Sequence, residues 1–189
     1  MITTYIAYAP KSEEMNLGRQ YNKLVEASPT EWVCFLDHDA MWLTRDWYHD
    51  LCQAAKHGER ENIGLFGCMT NRIGNKQQRV GGGATHDIVR MRETAALRHE
   101  LYRNTESAYQ VTTEPLSGVV MLISKTAHRK MGGFAEGFLG VDWDACRRVR
   151  EAGMKVALMH HVMVYHWYRA DGNKAHVKMS HRLHKNPYL

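Results

Sequence analysis

The sequence predicts an α/β protein: a mostly parallel central sheet flanked by helices. Three observations predict it. Strand-like and helix-like segments alternate as β-α-β-α-β from Tyr5 to Cys68. The run Trp32-Val33-Cys34-Phe35-Leu36 is apolar at every position, so both faces of that strand need cover. A second run, Val119-Val120-Met121-Leu122-Ile123, has the same character.

Each element follows from local pattern. Residues 5–9 read as a first strand ended by Pro10. Leu17, Tyr21, Leu24 and Val25 recur at helical spacing over 16–27, and Ser28-Pro29 stops that helix. After the strand 32–36, Thr44 is placed to cap a helix that carries Trp47 and Leu51 on one face and ends near Gly58. Residues 62–68 are a third strand. Residues 70–113 form a variable insertion or connecting region, with the run Gly81-Gly82-Gly83 and a helix from Asp87 to about Tyr102. Strand character returns at 119–124, and Gly132 to Phe138 make a turn-rich loop. Residues 142–152 form a helix with Trp143, Cys146 and Val149 along one side and Gly153 as its stop. Residues 156–168 are a last strand or strand pair.

The chain of 189 residues is long enough for one domain with a real core, and its 44% apolar content fits a globular protein. That domain is expected at 1–169, followed by a basic, His-rich tail at 170–189. The first ten residues lack the basic and apolar regions of a signal peptide, and no run approaches a membrane span. Cys34, Cys52, Cys68 and Cys146 form no CxxC pair, so buried thiols are expected rather than disulfides or zinc ligands. A reducing, cytoplasmic setting follows. The net charge of +5 is dispersed until the tail, where Lys174, Lys178, Arg182 and Lys185 interleave with His176, His181 and His184. A solvated tail and a flap over an anionic ligand both fit that composition.

Three places carry chemistry. Asp37-His38-Asp39 directly follows the strand 32–36, and ligands of open α/β sheets bind beyond the carboxyl ends of strands. In extended geometry Asp37 and Asp39 point to one side and His38 to the other. Two carboxylates on one side suit a hard divalent cation, Mn²⁺ or Mg²⁺, that also takes substrate diphosphate oxygens. A turn-forming acidic loop is the plainer alternative. Asp142 opens the helix after Gly140-Val141, where it reads either as the N-cap or as a general base; Asp144 sits in the first turn, where negative charge is favoured anyway. In Tyr165-His166-Trp167-Tyr168-Arg169, His166 reads as a metal or phosphate ligand or as a packed strand histidine. Arg169 suits bidentate contact with a diphosphate.

In this order the segments resemble the GT-A-fold glycosyltransferases, family 2 in particular, from Tyr5 to about Arg169. Asp37-His38-Asp39 resembles the DxD motif. Leu116-Ser117-Gly118-Val119 through Gly132-Gly133-Phe134-Ala135-Glu136 resembles the family's small-residue segment, strand and GGF(D)E loop. Gly140-Val141-Asp142-Trp143-Asp144-Ala145-Cys146-Arg147-Arg148-Val149-Arg150-Glu151-Ala152-Gly153 is similar to its "EDWDLCLRLREAG" helix, the most specific of the matches.

The resemblance implies a GT-A, Rossmann-like sheet and a metal-dependent transfer of a sugar from a nucleotide diphosphate-sugar to a glycan or other hydroxyl acceptor. It implies that Asp39 binds the metal with Asp37 nearer the ribose or metal, that His166 joins the metal shell, and that Ala9 and Pro10 touch the nucleobase. It makes Asp142 the base of an inverting reaction and Ser117, Gly118, Gly133, Phe134 and Trp143 the sugar and acceptor pocket. Two positions depart from the pattern. Val141 replaces the acidic partner of the "ED" pair, and Ala135 the usual Asp of the loop. A sugar nucleotidyltransferase would carry a glycine-rich basic loop where this chain has Ala9-Pro10-Lys11-Ser12. A non-catalytic nucleotide or nucleic-acid-binding protein would suit the basic charge but leaves the acidic triplet unused, because carboxylates repel phosphates.

Overall fold

The computed structural model describes residues 1–9, 15–80 and 86–167. The apolar run after Glu31 becomes strand β2 (Trp32–Leu36), buried at every position. Its alternate residues enter two cores. Val33 and Phe35 pack with Tyr21, Val25 and Val149, whereas Trp32, Cys34 and Leu36 pack with Leu51, Ala54 and Ala55. Helices therefore cover both sheet faces: α1 (Leu17–Ala27), α4 (Lys125–Lys130) and α5 (Val141–Glu151) on one, and α2 (Trp47–Glu61) on the other.

The α/β class expected from the sequence is present, but the sheet is mixed rather than mostly parallel. Among the described residues it has seven strands. β1 (Ile2–Tyr5), β2, β6 (Val120–Ser124), β4 (Ile63–Thr70), β7 (Lys155–His166) and β3 (Ala40–Trp42) lie in that spatial order, and β5 (Tyr109–Val111) also pairs with β7. Only β1–β2 and β4–β7 are parallel. β6 runs antiparallel between β2 and β4, and β3 and β5 run antiparallel to β7. Burial on both faces makes a strand apolar whichever way its neighbours run, so the apolar runs did not encode direction.

Several boundaries differ from the sequence reading. The first strand is Ile2–Tyr5 rather than 5–9, because its register runs from Ile2 opposite Trp32 to Tyr5 opposite Phe35, where β2 is about to end. The strands β3 and β5, three residues each, and the short helix α4 carry too little periodicity to be read. Thr44 does not cap α2. Its hydroxyl instead accepts from the Met163 amide at 3.0 Å, and α2 runs past Gly58 to Glu61, where Asn62 adopts the left-handed conformation. The helix expected from Asp87 is α3 (Ile88–Tyr102), with the Asp87 side chain as its N-cap. α3 packs along β7 and is pinned to α2 through buried Asp50, which pairs with His99 at 2.8 Å and Arg103 at 3.1 Å. All four cysteines are free, and Cys34, Cys68 and Cys146 are buried. Among the described residues no helix is long and apolar enough to cross a membrane.

Strand β7 sets the position of the site. Its register with β4 jumps from Cys68–Met159 to Met69–Met163, so His160, His161 and Val162 bulge out of the ladder. Before the bulge β7 pairs with β5, and beyond it with β3. Such a bulge bends a strand and re-aims its end. Here that end is His166, paired with Ala40 just after the acidic triplet.

Candidate metal centre and acidic cleft

Asp37, Asp39 and His166 form one cluster, with one ligand atom from each within 4.8 Å of the others. The triplet is not extended. The Ala40 amide donates to the Asp37 carbonyl at 3.1 Å, which closes a turn that carries both carboxylates toward β7. The Trp167 amide then donates to the Asp39 carbonyl at 2.9 Å and ties the turn to the end of β7.

His166 is buried and rigidly held. Its amide donates to Asn71 Oδ1 at 2.7 Å, and its Nδ1 lies 3.0 Å from the Arg72 carbonyl oxygen. A carbonyl only accepts, so Nδ1 carries the proton. Nε2 faces Asp39 Oδ1 at 3.2 Å and Asp37 Oδ2 at 3.8 Å. In a neutral ring, Nε2 is then an acceptor held against two other acceptors. That arrangement needs either a proton or a cation between the groups. A backbone carbonyl that orients the far nitrogen is the usual support of a metal-binding imidazole.

The carboxylates differ in ionisation. Burial pushes Asp37 up to about 6, with His166 opposing and Asp39 adding to the rise, although its side chain keeps 38% of its exposure at the cleft mouth. Burial also acts to raise Asp39, but the hydrogen bond and charge of His166 outweigh it and leave this carboxyl below its usual range.

Asp142 lies close to this cluster. The Asp37 amide donates to the Val119 carbonyl at 3.0 Å, and the neighbouring Gly118 amide donates to Asp142 Oδ2 at 2.7 Å. Two consecutive residues thus hold the two acids, and Asp142 is close enough for its charge to raise Asp37 further. Asp142 is not the N-cap of α5. Gly140 occupies that position with φ +75°, and Asp142 lies in the first turn with Oδ1 accepting from the Trp143 amide at 2.9 Å. Burial raises its ionisation, and the Gly118 and Trp143 amides oppose the rise. Glycine at 118 leaves room for this approach, since a Cβ there would lie 3.1 Å from that of Asp142, a tight contact.

No family model matches this chain, and no curated protein does. The site is therefore read from its own geometry. Ser117 lies beside Gly118, its amide and carbonyl both bonded to the side chain of fully buried Gln78, at 2.7 and 3.2 Å. Gly133 and Phe134 lie in the loop after α4, packed against Asn22 of α1. The Phe134 amide and carbonyl are held by Asn22 at 2.8 and 3.0 Å, and its ring is 3% exposed. Trp143 was read along one side of its helix with Cys146 and Val149, but it is 56% exposed next to Asp142 in the chain, and Val141, Ala145, Cys146 and Val149 make the buried face. Ala9 is half-buried beyond β1. Pro10, Arg169, the glycine run 81–83 and the tail 170–189 lie outside the described residues. A groove of ≈ 430 Å³ between Ile2, Trp32, Cys52 and Glu59 opens at the opposite end of the strands.

Sequence reasoning missed Asn71, Gln78 and Asn22. All three are amides that hold backbone in or beside the site, a role no spacing announces. Asn71 had one available signal, a polar side chain directly after a strand buried throughout.

Proposed function

We propose that this protein is a metal-dependent glycosyltransferase of the GT-A type, moving a sugar from a nucleotide diphosphate-sugar to an acceptor hydroxyl with inversion. What supports this reading is that His166 Nε2 meets Asp39 and Asp37 while Asp142 is held by Gly118, next to the residue that holds Asp37. The motif resemblance along residues 5–169 supports it independently of the geometry.

The donor set fits a divalent cation. Two carboxylates suit Mg²⁺ or Mn²⁺, and the imidazole favours Mn²⁺. Asp39, Asp37 and His166 would hold it, and when bound it would neutralise charge growing on the departing nucleotide diphosphate. Pro10 with Ala9 is assigned to the nucleobase and Arg169 to the diphosphate on the resemblance alone.

Asp142 takes the acceptor proton. Each of its oxygens already accepts one backbone hydrogen bond, which fixes the carboxylate plane and leaves a lone pair on each for the incoming hydroxyl. Trp143 offers an exposed indole face beside it for a sugar ring. Val141, where the family pattern has a second acid, is buried in the core, so Asp142 acts without that partner.

Calorimetry tests the reading directly. A panel of UDP-, GDP- and dTDP-linked hexoses is titrated into the protein with and without Mn²⁺. Binding of one donor class that requires the cation is expected. Cation-independent binding, or nucleic-acid affinity that falls steeply with salt in its place, would overturn it.

A further inference from the structure

We propose that Arg72 and Trp167 form an acceptor subsite for an acidic saccharide, whose ring lies on the indole while its carboxylate or phosphate meets the guanidinium. The inference rests on the glycosyl-transfer reading above and names the class of acceptor.

Trp167 directly follows His166 and is 56% exposed. A single exposed apolar side chain is ordinary on a protein surface. This one is held in place. Its amide is bonded to the Asp39 carbonyl, and its ring meets His86 at 5.8 Å and Tyr165 at 6.1 Å. Buried Tyr165 in turn donates its hydroxyl proton to the His86 carbonyl at 3.0 Å. An indole fixed with its surface open can stack on a ligand without first being ordered.

The charge comes from Arg72. Its carbonyl accepts from His166 Nδ1, and its guanidinium bonds to Nε2 of His86, the ring that touches Trp167. A guanidinium only donates, so that nitrogen accepts and brings no negative charge. Among the described residues Arg72 pairs with no carboxylate. An arginine fork without an acid, one ring away from an exposed indole, matches a ligand that carries both an anion and a ring.

Sheet order separates acceptor from donor. Gly118 precedes β6, Arg72 follows β4 and Trp167 follows β7, and these strands are neighbours in that order. β6 runs antiparallel to β4, and β4 parallel to β7, so all three residues lie at one end of the sheet. β1, which leads to the nucleobase residues of the reading above, lies beyond β2 on the other side of β6. Asp142, held by Gly118, thus stands between a donor side and the side of Arg72 and Trp167. Tyr165 shares its core with Val141 and Ala145 of α5, so the ring cluster occupies the sheet face that carries Asp142.

The test compares three oligosaccharides of one length, one neutral, one bearing glucuronate and one bearing phosphate. Each is titrated into Mn²⁺-loaded protein with a nucleoside diphosphate bound. Wild type is expected to bind an acidic form at least about tenfold tighter than the neutral one, and the preferred form identifies the anion. Arg72→Gln should abolish that preference and leave affinity for the neutral form within about twofold. Trp167→Leu should weaken acidic and neutral forms alike by about fivefold. Both variants should keep wild-type affinity for the nucleoside diphosphate. Equal binding of acidic and neutral saccharides by wild type, or binding of none, overturns the acidic acceptor and leaves the transferase reading intact. Loss of nucleoside diphosphate affinity in either variant, with saccharide binding unchanged, assigns the pair to the donor and overturns it as well. If wild type binds no nucleoside diphosphate with Mn²⁺ present, the transferase reading falls and the acceptor subsite with it.

Discussion

His166 Nε2 and Asp39 Oδ1 stand 3.2 Å apart, at the end of β7 and in the turn after β2 respectively. With Nδ1 committed to the Arg72 carbonyl, the pair can share a cation only if both the turn and the bulged strand keep their positions. His166→Gln should therefore weaken Mn²⁺ binding by at least about tenfold without unfolding the chain. Titration followed by manganese paramagnetic resonance measures this, and equal affinity in variant and wild type would remove His166 from the shell.

Asp142→Asn keeps the shape of the side chain but cannot accept a proton. Its transfer rate should fall by roughly 10²–10⁴-fold with Mn²⁺ affinity unchanged. A rate assay with the donor identified by calorimetry decides. Near-normal turnover would mean another base or a retaining reaction.

The same variant carries a pH signature. The folded-state value of Asp142 is raised above its unfolded one by burial. Between the two, the folded protein holds the proton more tightly, so wild type gains stability as pH falls through the folded value. Asparagine lacks that gain. The urea midpoint of Asp142→Asn relative to wild type should therefore decline as pH falls from 7 to 4. A difference independent of pH would contradict the raised value.

Gly18 is where α1 meets the loop after α4. Its amide donates to the Gly137 carbonyl at 3.0 Å, and a Cβ would lie 1.9 Å from the Ala135 carbonyl oxygen. Backbone blocks that space, so Gly18→Ala should cost about 3 kcal/mol, measured by urea unfolding. Because Asn16, Arg19 and Glu136 bind the same contact, the loop should loosen with it. A loss under about 0.5 kcal/mol would show that the loop can move aside.

Much of the fold was legible where periodicity or apolarity is strong. β2 was read to the residue, α1 and α3 to within one at either end, and the acids Asp37, Asp39 and Asp142 from their places after a strand and at a helix start. Strand direction was not legible in doubly buried strands, nor were β3 and β5, which exist because β7 offers them an edge. Trp143 was read onto the side of Cys146 and Val149, but Val141 and Ala145 complete that buried face and leave the indole exposed.

Anomalous diffraction at the manganese edge, from crystals grown with MnCl₂ and a nucleotide diphosphate, addresses the shared cleft most directly. A single peak at roughly 2.2 Å from Asp39 and His166 Nε2, with a diphosphate oxygen completing its shell and Asp142 free on the far side, is the expected result. Manganese elsewhere, or nucleotide bound with no metal beside His166, would contradict it.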